Sequence, residues 1–267
     1  MKKYISFFRL RFSMGLQYRT AAFAGIATQF VWGFMEVLMF KAFYEAEPEA
    51  FPMTLQATCS YVWMQQAFLT LFMAWVLENE IFDSIVNGNI SYELCRPINM
   101  YDMWFARSTA NRFSKVLLRC FPVLIFSAFL PEPYGIMAPV SGSAFVWFLI
   151  TLILGALVTI AFCMLIYMTC FFTVSAMGVR MVAVSIVEFF QGGVIPLPFF
   201  PESIQKIMEL LPFAAMQNVA LRIYSGDLAG DAMKRAVILQ VFWLVVLIAV
   251  GKFMNRVAMK KVIVQGG

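Results

Sequence analysis

Between Ser143 and Phe172 the chain runs thirty residues without a charged side chain, SAFVWFLITLILGALVTIAFCMLIYMTCFF. That stretch dictates the rest. A bilayer's hydrocarbon core takes about 20 apolar residues as helix, and in lipid the backbone must satisfy its own polar groups. Five more apolar runs join it, at about Ala21–Phe43, Leu55–Leu77, Phe113–Leu130, Val174–Ile195 and Ala236–Met254. The third run is the weakest, with Lys115 and Arg119 in its first two turns. Between the fourth and fifth, Ser175, Gly178 and Arg180 suggest a tight turn. The whole chain is 62% hydrophobic and 13% charged, with mean hydropathy +0.80. Soluble domains are about half apolar and a quarter charged, so the expectation is an all-α polytopic membrane protein with six transmembrane helices.

Basic residues predict the orientation, because they gather on the cytoplasmic side. Lys2, Lys3, Arg9, Arg11 and Arg19 precede the first run; Arg96, Arg107, Arg112, Lys115 and Arg119 flank the second connection. Arg180, Lys252, Arg256, Lys260 and Lys261 complete that side. Lys41, Lys206, Arg222, Lys234 and Arg235 fall opposite. Both termini are therefore expected in the cytoplasm, and the net charge of +5 is read as contact with lipid headgroups rather than nucleic acid.

The leader KKYISFFRLRFSMGLQYR lacks a continuous apolar core and a cleavage site, so it is not expected to be a signal peptide. On a helix, Lys2, Ser6, Arg9, Ser13 and Gln17 share a polar face beside Ile5, Phe8, Phe12 and Leu16. This predicts an amphipathic helix over residues 1–19, lying in the cytoplasmic interface; a solvated basic leader is the plainer alternative. Arg11 breaks the pattern. A permease domain over residues 20–256 and a cytoplasmic tail over 257–267 complete the expected organisation.

Chemistry is scarce. There is no histidine, no P-loop and no HExxH or GxSxG motif. The five cysteines are scattered and form no CxxC, so they are expected as free thiols. An intramembrane enzyme would have only Glu36 and Glu188 to work with.

The longest cytoplasmic connection, residues 78–112, holds IVNGNISYELCRPINMYDMW. A short helix is expected in ENEIFDSIVNG, stopped at Gly88, and a second element in ISYELCRP, ended by Pro97. Its mixture of charge with Tyr92, Leu94 and Trp104 suits a protein docking surface, or a loop with a hydrophobic foot on the membrane. The outer connection, residues 196–235, cannot begin as one helix, because Pro196, Pro198 and Pro201 interrupt it. Ile204, Ile207, Met208 and Leu211 then predict a short amphipathic helix, whose plainer reading is a loop helix on the headgroups.

Two motifs carry a resemblance. The run Gly88-Asn89-Ile90-Ser91-Tyr92-Glu93-Leu94-Cys95-Arg96-Pro97-Ile98 resembles the cytoplasmic motif of bacterial ABC-2-type permeases. The segment GGVIPLPFFPESIQKIMELLPF and the later Ile223-Tyr224-Ser225-Gly226 resemble that family's outer turn, except that Ala214-Ala215-Met216-Gln217 stands where a more polar link is expected. The resemblance covers nearly the whole chain and is strongest to export permeases encoded as two unlike permeases with one ATPase.

It implies a type V exporter-like architecture without catalytic residues or metal in this chain. The ATPase-coupling residues would be Ile85, Gly88, Ile90, Ser91, Tyr92, Glu93, Leu94, Arg96 and Pro97, with ATP and Mg bound by a partner ATPase subunit. Glu93 and Arg96, three apart, could pair with each other or with that subunit. A second permease and membrane lipids would be the other partners. The outer segment would be re-entrant and gate the pathway through Pro196, Phe199, Phe200, Pro201, Pro212 and Phe213. Within the spans, Glu36 shares a face with Gly25, Gln29 and Gly33, and Glu188 with Ser185 and Gln191. Gln29, Glu36, Ser185, Glu188 and Gln191 are therefore candidate residues of a pathway for a hydrophobic or amphipathic substrate such as a drug, lipid-like molecule or peptide, or else of a dimer seam. The expected place is the bacterial inner membrane. A channel or membrane scaffold without ATP coupling is the alternative function.

Overall fold

A computed structural model describes residues 2–17, 19–173 and 175–261. Val174, at the head of the fifth apolar run, and 262–267 of the expected tail lie outside the described residues. Every regular element among them is helical.

Helix α1 (Lys2–Gln17) is the amphipathic leader. It has no fully buried residue, yet it packs along the first half of α7 (Met100–Ala128). Gly15 permits the approach, since a Cβ there would stand 2.1 Å from the Ser114 hydroxyl. Among the described residues, three helices are long and apolar enough to cross a membrane: α2 (Arg19–Ala46), α8 (Gly142–Thr169) and α12 (Gly230–Lys261). Their outward faces stay apolar. Phe23, Trp32 and Leu38 on α2, and Ile238, Val245 and Phe253 on α12, are each more than half exposed, as lipid-facing side chains are.

The other three apolar runs take different forms. The run expected over Leu55–Leu77 is not one helix. It breaks into α3 (Leu55–Ala67) and a single turn, α4 (Leu69–Phe72), then leaves helical geometry at Met73. The departure at Met73 is held by Arg112 on α7, which is 1% exposed. Its guanidinium donates to the carbonyls of Thr70 (3.1 Å), Leu71 (3.2 Å), Met73 (2.9 Å) and Val76 (2.9 Å). A helix end leaves carbonyls unpaired; here one cation takes two of them, Thr70 and Leu71, and two more just beyond the helix, where Met73 also accepts from Val76 N–H (3.3 Å).

The third run starts earlier than Phe113. Asn99 caps α7 by accepting from Asp102 N–H (3.2 Å), so the helix rises through the charged stretch before becoming apolar. The fifth run yields a short helix, α9 (Ala176–Phe190). Its N-cap is Ser175, which accepts from Gly178 N–H (3.1 Å); Gly178 and Arg180 lie inside the helix, not in the turn.

Two apolar cores hold most of the buried apolar side chains among the described residues. One gathers Val37, Trp63, Phe72, Phe148 and Tyr224 from α2, α3, α4, α8 and α11 (Asn218–Tyr224). The other gathers Ile81, Ile90, Trp104, Met164 and Tyr167 from α5 (Asn79–Val86), α6 (Ile90–Leu94), α7 and α8. The Ala214–Gln217 link is buried, which suits Ala214, Ala215 and Met216 in place of more polar residues. Gly155 of α8 lets it in: a Cβ there would stand 1.8 Å from the Met216 carbonyl oxygen. Gln240 of α12 anchors the same link, donating to the carbonyls of Ala215 (2.9 Å) and Thr151 (3.2 Å).

Candidate functional site

The connection between α4 and α7 is a folded protrusion rather than a free loop. Helix α5 buries Ile81 and Phe82 against α8, where the Phe82 ring meets Tyr167 at 5.1 Å. Gly88 turns the chain with φ +72° and open space around it, so backbone conformation, not crowding, favours glycine there. The single turn α6 then points two ways. Ile90 is buried at 3% exposure, while Tyr92 is 74% exposed.

The base of this protrusion is tied on every side. Arg107 of α7 pairs with both Glu78 and Glu80, and Arg11 of α1 reaches Glu80 at 3.6 Å. Arg11 therefore breaks the amphipathic pattern because it faces protein. Burial works against the Arg107 charge, but Glu78 and Glu80 overcome it and raise its pKa above the ordinary value. Tyr167 Oη accepts from Glu78 N–H (2.8 Å), and Arg180 of α9 donates to Asn79 (2.9 Å). At the far end, Lys3 donates to the Pro97 carbonyl (2.6 Å) and Asn99 N–H donates to Tyr4 (3.2 Å). Trp104 Nε1 donates to the Glu93 carboxylate. Glu93 is thus an internal strut, and no ion pair joins it to Arg96 among the described residues.

The residues expected to couple separate into two groups. Ile90 is buried, and Ile85, Ser91 and Glu93 are half-buried in the base. Tyr92, Leu94, Arg96 and Pro97 stand outward together with Val86 and Cys95. The result is a rigid foot presenting a small aromatic, aliphatic and cationic tip.

The span residues do not converge. Gln29 donates to the Gln66 carbonyl (2.9 Å), and Gln66 donates to Glu36 (3.4 Å), so that stripe of α2 faces α3. Gly33 admits the Trp63 ring to the same seam. Gln191, fully buried, donates to the Met73 sulfur at 3.4 Å. Ser185 is exposed and bonded to its own helix at the Met181 carbonyl. The half-buried Glu188 carboxylate meets no hydrogen-bond or ion-pair partner among the described residues. No hydrogen bond among those residues links the Glu36 set to the Glu188 set.

At the other end, Pro196 is buried and Leu197–Phe199 form a tight 3-10 turn. Phe199 packs on Phe40 (5.1 Å) and Phe51 (4.8 Å), Phe200 on Phe189 (5.8 Å), and Phe213 on Phe162 (5.5 Å). Pro201 precedes α10 (Glu202–Leu210), while Pro212 is half-buried beyond it. A cleft of about 540 Å³ opens between Phe43, Phe51, Phe199 and Pro201. Helix α10 forms where Ile204, Ile207, Met208 and Leu211 predict it, with Met208 turned into the protein. Ile207 and Leu210 are exposed, whereas Glu209 turns toward Arg222. Arg222 pairs with Glu209 and Asp227, which hold its pKa above the ordinary value against the opposing effect of burial.

Arg107, Arg112 and Arg222 organise this molecule, and sequence reading assigned them only to topology. The acids Glu78 and Glu80 beside an apolar run were a usable signal for Arg107. Arg112 had none, because its partners are backbone carbonyls.

A family model described as ABC-2 family transporter protein matches residues 30–266. No curated protein and no solved structure matches the chain.

Proposed function

This chain belongs to the ABC-2 transporter family and is a membrane transport permease, and from that premise we propose that it is the export permease of an ABC transporter, driven through residues 78–98 by a separate ATPase. The observation that carries the reading is the foot itself: a base fixed to α1, α7, α8 and α9, and a tip of Tyr92, Leu94, Arg96 and Pro97 left uncovered. A monomer gains nothing by exposing Tyr92 at 74% on a rigid support. A partner groove would bury it.

In this account ATP and Mg are bound by the ATPase. Its closure presses on the tip, and the Glu78–Arg107 and Glu93–Trp104 ties carry the push into α7. α1, held through Lys3 and Arg11, moves with it. Six crossings are reached with α3–α4, the apolar half of α7 and α9 as the shorter passages, and both termini lie in the cytoplasm of a bacterial inner membrane. A second permease, unlike this one, completes a pathway for a hydrophobic or amphipathic substrate. The exposed faces of α2 and α9 supply the seam, and the turn from Pro196 to Phe213 is re-entrant and closes the outer end.

Co-expression with the neighbouring reading frames tests this. Recovery in mild detergent should bring down a P-loop ATPase in stoichiometric amount. A folded permease recovered with no ATPase would contradict the account and favour a channel or scaffold.

A further inference from the structure

Under α1, a cavity of about 330 Å³ lies between α1, the start of α2 and the first half of α7. Arg11, Arg107, Lys115 and Arg119 line it, against only two acids, Glu78 and Glu80. Both acids are engaged: Arg107 pairs with each of them and Arg11 with Glu80. Lys115 is half-buried and makes no hydrogen bond or ion pair among the described residues. The Arg119 guanidinium lies flat on α2 at Gly25, where a Cβ would stand 2.3 Å from its Cζ. The cavity thus carries surplus positive charge beside the apolar walls of Met14, Ala22 and Leu118.

We propose that this cavity binds the phosphate of an anionic phospholipid from the cytoplasmic leaflet, with Lys115 as its cationic contact. Three features converge. A desolvated cation in a membrane protein needs a counter-charge or water. α1 roofs the cavity with an amphipathic helix, which places it at headgroup level. The mixed lining fits an amphiphile better than a bare ion, with Lys115 for the phosphate and Met14 and Leu118 for the start of an acyl chain. Basic pockets between helices on the cytoplasmic side suit such headgroups. The inference rests on α1 lying at the cytoplasmic face, and not on the ATPase or the transported substrate.

The test uses the full chain reconstituted in vesicles of phosphatidylcholine with phosphatidylglycerol, then released for native mass spectrometry. The wild type should retain phosphatidylglycerol over phosphatidylcholine. Lys115→Gln should lower that retention about tenfold, the scale of one lost charge-assisted contact, and Lys115→Arg should restore it. Lys234→Gln, at an exposed lysine on the outer side, should change nothing. Equal retention of the two lipids by the wild type would overturn the proposal, even if Lys115→Gln failed to fold. So would unchanged retention in a folded Lys115→Gln. Displacement of the lipid by millimolar inorganic phosphate would assign the site to free phosphate instead. Because no ATPase is present, failure here leaves the transport reading standing, and the reverse also holds.

Discussion

Replacing Arg112 with alanine should lower the melting temperature of the detergent-solubilised protein by roughly 10 °C. The side chain is 1% exposed and donates to four carbonyls where α4 ends, with Cys163 Sγ as a further contact at 3.2 Å. Each buried carbonyl left without a donor costs about 1–3 kcal/mol. Three lose their donor, since Met73 keeps Val76 N–H (3.3 Å); they share one cation and will not add fully, so about 4 kcal/mol is expected for the set. At about 2–4 °C per kcal/mol for a chain of this size, that gives the stated shift. Arg112→Lys should recover only part, because an ammonium has three donors and no planar fork to span four acceptors. An unchanged melt for the alanine variant would mean that the non-helical stretch from Met73 to Glu78 does not depend on Arg112.

The second large effect concerns the tip of the foot. Tyr92→Ala combined with Arg96→Glu should reduce recovery of the partner ATPase at least about tenfold, since aromatic and Arg anchors dominate interfaces and each costs about 2 kcal/mol or more when lost. Thermal stability should stay within about 1–2 °C of wild type, because surface positions contribute little to the fold. Glu93→Ala should behave differently. It removes the acceptor for Trp104 Nε1 inside the base, so the melt and the recovery should fall together. Equal recovery for wild type and the tip variant would move the contact elsewhere on the cytoplasmic face.

These effects mark what the sequence could and could not reveal. Apolar runs with no charge specify a helix in lipid, so α2 and α8 were legible to within three residues of their ends, whereas α12 extends six residues before Ala236 and seven beyond Met254. Local signals were also readable: Gly88 and Pro97 bound the short helices of the foot, and Pro196, Pro198 and Pro201 break the outer segment. What escaped depends on long-range partners. Leu55–Leu77 looks like one span because nothing within it announces that Arg112, more than thirty residues away, will take its carbonyls. Arg11 looked like a flaw in an amphipathic helix until Glu80 was placed beside it. Glu93 and Arg96 suit a helical i, i+3 pair, but α6 lasts only one turn and Trp104 captures the carboxylate. The polar stripe at Gln29 and Glu36 was visible, but periodicity does not name its neighbours, and these are Gln66 and Trp63 of α3.

Cys95 offers the most direct test of the central claim. Of the five cysteines it alone is exposed, and it sits on the tip beside Leu94 and Arg96. A thiol-directed photo-crosslinker placed there should, on illumination of the assembled complex, yield one major adduct between this chain and the ATPase. Its yield should change when ATP is trapped in the partner. Labelling of Cys95 only from the extracellular side, or an adduct to lipid with none to an ATPase, would contradict the account.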